Sequence, residues 1–288
     1  MDFLQAIILG ILQGLTEFLP ISSSAHLRIF GDVAGWGDPG ATFTAITQLG
    51  TETAVLIYFW KDITRIIGKW FRSFGGGGGK RSTGVQKGDP DVRLGWLIII
   101  GTIPIVIVGF LLQDSIRTAF RSLWIVAIVL IVFGLLLGLA DRLGRRTKPI
   151  ESLGYRDGIL IGFAQMLALI PGVSRSGAST SAGLALGYTR PAAARFSFLL
   201  AVPAVFGSGL YETYTALTCT PGVDEACGEG YGLGPTIAAT VVAFAVGLAV
   251  IAFLMRYLEK GSFLPFVIYR VLLGGTLIAL LSAGVLQP

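Results

Sequence analysis

The chain has 288 residues, of which 53% are hydrophobic and 14% charged, with a formal net charge of +5. Soluble domains carry about 25% charged residues, so this length reads as a stack of spanning helices rather than as two soluble domains. The basic residues sit between apolar runs, where membrane topology accounts for them, which removes the argument for nucleic-acid binding.

The opening MDFLQAIILG lacks a basic stretch and no A-x-A-like site follows, so no cleavable signal peptide is expected. A first apolar stretch covers about 2–19, stops at Pro20 and restarts briefly at 26–36. Proline cannot donate to the helix ladder and disfavours helix in the residue before it. Two short helices joined by a polar turn, a re-entrant hairpin, are therefore predicted. Gln13 and Glu17 are four apart and share one helix face. A carboxylate in an apolar segment is costly and points to function. A divalent cation, which takes oxygen ligands and bridges to phosphates, is a suitable partner. Ser22, Ser23 and Ser24 follow Pro20. Ser23 or Ser24 is expected to cap the next helix, and hydroxyls with free N–H groups at a helix start suit an anion. His26 is the single histidine, which excludes His-rich metal clusters and any two-histidine mechanism.

A span needs roughly 20 mostly apolar residues to cross a hydrocarbon core of about 30 Å. Six segments qualify, at about 43–60, 94–113, 122–140, 193–217, 233–256 and 264–285. Glu52 falls inside the first, after Gln48, and Arg270 inside the last, after Tyr269. Each is expected to line the polar site or to pair with another buried group, and Arg270 is a candidate substrate contact. Between the first two spans, 61–93 reads as a flexible cytoplasmic loop with a linker at Gly75–Gly79. Its GGGGGK followed by Arg81 is not a phosphate loop, because Phe74 and Arg81 stand where Gly and Ser/Thr are needed and no strand precedes it.

A second broken stretch covers about 157–170, stops at Pro171-Gly172 and restarts at 178–188. Its turn holds Arg175, whose permanent charge and planar fork match phosphate oxygens. A phosphate held by Arg175, Ser174, Ser176 and Ser179 accounts for more of these residues than a structural Arg175–Glu17 ion pair. Loops 61–93 and 141–156 hold eight and five basic residues, and Arg190, Arg195, Arg256 and Lys260 add four. If 157–188 is re-entrant, all seventeen lie on one side and only Arg28, Arg117 and Arg121 on the other. Basic residues favour the cytoplasmic side, so both termini are expected to face outward. Loop 218–232 then also lies outside, where Cys219 and Cys227 are candidates for a disulfide.

The two broken stretches resemble each other. GILQGLTEFLPISSSAH starts at Gly10 and GFAQMLALIPGVSRSGAS at Gly162, an offset of about 152 residues. Each is followed by three of the six spans, an odd number, so the second copy starts on the opposite face. This predicts an all-α polytopic membrane protein in one domain, with six spans and two re-entrant hairpins in an inverted-topology repeat, about 1–140 and 155–285.

The runs LQGLTEFLPISSSAH and PGVSRSGAST, with ITQLGTETAVLIYFW and FLPFVIYRVLLGG, resemble the undecaprenyl-diphosphate phosphatase family of the bacitracin-resistance type over nearly the whole chain. The resemblance implies a plasma-membrane phosphatase with an outward-facing site that hydrolyses a polyprenyl diphosphate lipid to the monophosphate, using a divalent cation such as Mg or Ca. It implies Gln13 and Glu17 as the cation-binding pair, Ser23 from the serine turn, His26 as the essential histidine, and Arg175 beside Ser174 on the phosphate. Gln13 stands where many members have Glu, and Ser179 where Thr is usual. His26 and Ser23 remain rival nucleophiles. The partners expected are the lipid substrate and the bilayer, and a homodimer is allowed. The alternative is a polyprenyl-phosphate transporter or flippase using the same inverted-repeat cavity.

Overall fold

The structure, a computed structural model, describes residues 3–74, 85–86, 88–113, 116, 122–218 and 232–287. The Gly75–Gly79 linker, Arg117, Arg121, and Cys219 and Cys227 with their expected disulfide lie outside the described residues. Within them the chain forms eleven α-helices and no strand: α1 Phe3–Thr16, α2 Ser23–Val33, α3 Gly40–Tyr58, α4 Trp60–Phe74, α5 Pro90–Leu111, α6 Leu123–Leu143, α7 Tyr155–Met166, α8 Arg175–Ala185, α9 Arg190–Thr218, α10 Leu233–Leu258 and α11 Leu264–Ser282.

Five of these, α5, α6, α9, α10 and α11, are long and apolar enough to cross a membrane. Ile103 and Ile107 on α5, Leu135 on α6, Phe253 on α10 and Leu272 on α11 point outward, giving the bundle an exterior that suits lipid. The chain is thus an all-helical protein with several membrane-spanning helices. Helix α3, read from sequence as the first span, has 19 residues but is more polar, with Gln48, Glu52 and five threonines. Thr44, Thr47 and Thr53 satisfy their hydroxyls by donating to Gly40 O, Phe43 O and Leu49 O, one turn back.

The loop expected over 61–93 is corrected in its first half, which is α4. Its apolar side, with Ile66 and Trp70, packs on Gly95 of α5. Its polar side carries Lys69, which donates to Asp89 at 2.9 Å and pairs with Asp91 at 2.8 Å. Hydrogen bonds to Asp91 and Asp89 hold the Lys69 ammonium above its ordinary range. Asp89 in turn caps α5 by accepting from Asp91 N. The alternation of charge and bulk that makes α4 amphipathic reads, in sequence, as a charged loop.

Other ion pairs and charged hydrogen bonds gather one end of the bundle. Arg195 at the start of α9 reaches Asp62 on α4 at 2.5 Å, and Arg93 on α5 donates to Glu151 O at 2.6 Å. Arg190 grips Asp141 at the end of α6 through two bonds of 2.6 and 3.1 Å, and Asp141 also accepts from Phe263 N ahead of α11. The basic residues that flank α4, α5, α6 and α9 therefore share one end.

The pairs α1/α2 and α7/α8 are two short hairpins set into this bundle. Helix α1 packs on α10, and α7 on α5. In both cases a glycine allows the approach. A Cβ at Gly10 would fall 2.5 Å from Ala239 O, and one at Gly162 would fall 2.5 Å from Gly101 O. Gln13 and Gln165 are both fully buried. Each hairpin turn ends in a serine with positive φ, Ser22 at 74° and Ser174 at 71°. These matches, Gly10 with Gly162, Gln13 with Gln165 and Ser22 with Ser174, all fall 152 positions apart.

Candidate active site

The two hairpin turns meet. Ser22 Oγ accepts from Gly172 N at 3.2 Å, and Ser176 Oγ lies 3.3 Å from Leu19 O as its donor. Each turn thus lends one serine hydroxyl to the backbone of the other. Ser22 is the residue that opens α2, but no side-chain cap bond forms there. This corrects the expectation that Ser23 or Ser24 caps the helix: the Ser22 hydroxyl is engaged across the interface, and Ser23 turns toward Glu17. In the second turn Ser174 does cap its helix, accepting from Gly177 N at 3.1 Å.

Glu17 is the hub. Its Oε2 accepts from Gln13 Nε2 at 2.7 Å and from Ser23 Oγ at 2.6 Å. Its Oε1 is paired with the Arg175 guanidinium from the other hairpin. The carboxylate is largely buried, where a charge needs such partners. Glu17, Ser22, Ser23, Ser24, Ser174 and Arg175 form the polar end of a cavity of about 530 Å³. Its other walls come from α3 (Thr44, Gln48), α5 (Ile105, Val106, Phe110) and α9 (Ala204, Tyr211, Glu212). The result is a charged floor under an apolar corridor, suited to a molecule with an anionic head and a hydrocarbon tail.

Three expected site residues lie elsewhere. Arg270 does not face the cavity. It is fully buried and donates to Leu130 O at 3.0 Å, to Pro20 O at 3.0 Å, to Val173 O at 3.1 Å and to Gly172 O at 2.7 Å. Its fork is filled by carbonyls of both turns, so it fastens the hairpins together. Ser179, also fully buried, donates to Arg175 O at 2.6 Å and meets Ser197 Oγ at 2.5 Å, joining α8 to α9. Ser176 contacts Ser174 Oγ at 3.1 Å and the carbonyls of the first turn rather than the cavity.

His26 is placed beside the site but aimed past it. Its Nδ1 is 2.7 Å from Ser22 O, which only accepts, so Nδ1 carries the proton and donates. Nε2 is then free to accept from Tyr269 Oη–H at 2.7 Å, and the two rings stack at 5.5 Å. His26 is not among the residues that line the cavity. Tyr269 was missed as a site residue by sequence reasoning, although its place beside Arg270 in a span was a usable signal. The cavity-lining Thr44 and Glu212 were missed as well. Glu212 accepts from Thr42 at 2.8 Å, which closes α3 on α9.

Among the described residues, no group of three or more His, Cys, Asp or Glu side chains converges to hold a metal ion. The donor set that does exist is oxygen: the Glu17 carboxylate, and Gln13 Oε1, which is buried and has no hydrogen-bond partner. Hard oxygens of this kind fit Mg or Ca rather than a transition metal.

A family profile described as bacitracin resistance protein BacA matches residues 6–276 of the chain. A protein of Micrococcus luteus named undecaprenyl-diphosphatase is 63% identical over 288 residues, covering 100% of both chains. One of the same name from Clavibacter michiganensis is 62% identical over 284 residues, 99% of this chain and 98% of its own. A protein of Agrobacterium fabrum named undecaprenyl-diphosphatase 2 is 54% identical over 291 residues, 100% of this chain and 98% of its own.

Proposed function

The chain belongs to the bacitracin resistance protein BacA family, and on that premise we propose that it hydrolyses undecaprenyl diphosphate to the monophosphate and inorganic phosphate. The observation that carries this reading is the Glu17 carboxylate, bonded to the Ser23 hydroxyl and paired with Arg175 at the polar end of an apolar cavity. The prenyl chain lies along Val106, Phe110 and Ala204, and the diphosphate reaches the two turns.

Phosphoryl transfer is mostly positioning and charge stabilisation. The terminal phosphate takes Arg175 away from Glu17 and onto its own oxygens. The released Glu17 accepts the Ser23 proton as Oγ attacks phosphorus. The bond from phosphorus to the bridging oxygen breaks and the lipid monophosphate leaves. A water then attacks the phosphoserine, its proton going to the phosphate formed, while Glu17 returns the first proton to Oγ as the bond from phosphorus to Ser23 breaks. This order favours Ser23 over His26 as nucleophile, because His26 Nε2 is held by Tyr269. His26 orients the serine turn through its bond to Ser22 O.

Glu17 and Gln13 are the residues that would hold a divalent cation, Mg or Ca, which when bound neutralises charge on the diphosphate. The shared end of the basic residues and the matched hairpin features, 152 positions apart, support six spans with two re-entrant hairpins in an inverted repeat. They also support a plasma-membrane protein with termini and site facing outward. A transporter reading has no comparable support, since every relative named above is a diphosphatase. Release of inorganic phosphate from undecaprenyl diphosphate by the protein in detergent, where vectorial transport cannot occur, tests the reading. Absence of release by the wild type, or full release by Arg175→Ala, overturns it.

A further inference from the structure

Glu52 is buried in α3 with 1% of its surface exposed, and its Oε1 has no hydrogen-bond partner. It sits one helical turn beyond Gln48, which lines the cavity. The charged groups whose fields act on it are Arg175 and Glu17, so it belongs to the electrostatic neighbourhood of the site without taking part in the bonds drawn there. A second orphan lies on α1, four residues before Glu17. Gln13 is fully buried, its amide nitrogen is bonded to Glu17, and its Oε1 has no partner.

Both orphans are oxygen acceptors. An unpartnered acceptor in an apolar interior is costly, and a carboxylate oxygen more so. Buried orphans of this kind call for a specific occupant. A proton donor would satisfy one of them; a cation satisfies both. Charge points the same way. Glu17 and Arg175 cancel as a pair, so a doubly charged ion beside them lacks a compensating charge unless a second carboxylate contributes. Glu52 is the carboxylate available.

We propose that Glu52 is a cation-binding residue, completing with Glu17 and Gln13 an all-oxygen site for a divalent cation. The proposal rests on the cation-assisted reading of the Glu17 site given above. It adds a ligand from a third element, α3, so that the cation links the first hairpin to the helix that walls the lipid corridor. In this role Glu52 raises cation affinity by its charge, and Gln13 contributes a neutral carbonyl.

The test uses the full-length protein in detergent, stripped with chelator, with Mn²⁺ as the probe. Binding is read by the loss of the free Mn²⁺ paramagnetic signal, and the melting temperature is followed against Mn²⁺ concentration. Glu52→Gln, isosteric and uncharged, is expected to weaken Mn²⁺ binding by about tenfold or more. In chelator it should melt no lower than the wild type, because it removes a buried charge. The double variant Gln13→Glu/Glu52→Gln returns one carboxylate to the site from α1 and should regain most of the affinity. Unchanged Mn²⁺ affinity in Glu52→Gln overturns the proposal, as does a wild type that binds no Mn²⁺. A variant that melts lower in chelator with an unaltered Mn²⁺ response identifies Glu52 as a structural acid and also overturns it. The readout needs no substrate, so a failure of phosphate release would count against the phosphatase reading and leave this comparison standing.

Discussion

Ser22 and Ser174 share a backbone conformation that few residues other than glycine adopt, with φ of 74° and 71°, at the positions immediately before α2 and α8. Each is where the chain reverses inside the apolar bundle. Ser22→Val and Ser22→Gly both lose the bond from Gly172 N, but only valine keeps a side chain at positive φ. The valine variant should therefore be less stable than the glycine variant by about 1–2 kcal/mol. Melting of the two proteins side by side checks this, and equal stability refutes it.

Ser23→Ala should reduce phosphate release by about 10³-fold or more, since it removes the attacking oxygen. Trapping with radiolabelled substrate should mark Ser23 in the wild type and leave it unmarked in Glu17→Gln, which lacks the base for the attack. A label on His26 instead would reverse the assignment of nucleophile.

Arg175→Lys retains the charge but not the planar fork. It should lower kcat by roughly 10²-fold, in the range of losing one well-placed donor to a developing charge. KM should rise less. Steady-state kinetics separate the two, and a change confined to KM would show that Arg175 only recruits the diphosphate.

Tyr269→Phe removes the hydroxyl that His26 Nε2 accepts from. As a positioning contact it should cost about tenfold in kcat, roughly 1.4 kcal/mol, with KM and melting temperature nearly unchanged. The pH profile of kcat should shift, because the imidazole loses the hydroxyl that donates to its Nε2. A merely packed tyrosine would leave that profile where it was.

Arg270→Met leaves the carbonyls of Pro20, Gly172 and Val173 without their shared donor. A loss of about 3 kcal/mol or more of stability is expected, seen as a lower melting temperature with activity falling in proportion to the folded fraction. A folded, inactive Arg270→Met would return this residue to the substrate.

Much of the site was legible because its signals are violations of the membrane background. Pro20, Pro171-Gly172, Glu17 and Arg175 each break an apolar pattern, and the structure brings the two turns together as the offset between them suggested. What stayed hidden was direction. Arg270 lies in α11, a helix apolar nearly all round, and such a helix gives no periodicity to say which neighbour a polar residue faces. The same holds for Ser179, whose hydroxyl turns to Ser197 rather than to the cavity. Helix α4 was hidden for the opposite reason. Its charges read as loop, because the partners that fix them, Asp89 and Asp91, come from further along the chain, 20 residues beyond Lys69 in the case of Asp89.

The bonds of Arg270 impose an order in time. Pro20 belongs to the first hairpin, Val173 to the second, and the arginine that joins them lies in the last helix. A growing polypeptide places both turns long before it delivers that latch. The earlier helices must hold the turns loosely through synthesis, and the two halves become one catalyst only when the ribosome has nearly finished. Premature termination before α11 therefore leaves both turns present and joined only by their serine bonds and the Glu17–Arg175 pair, without the arginine that locks them.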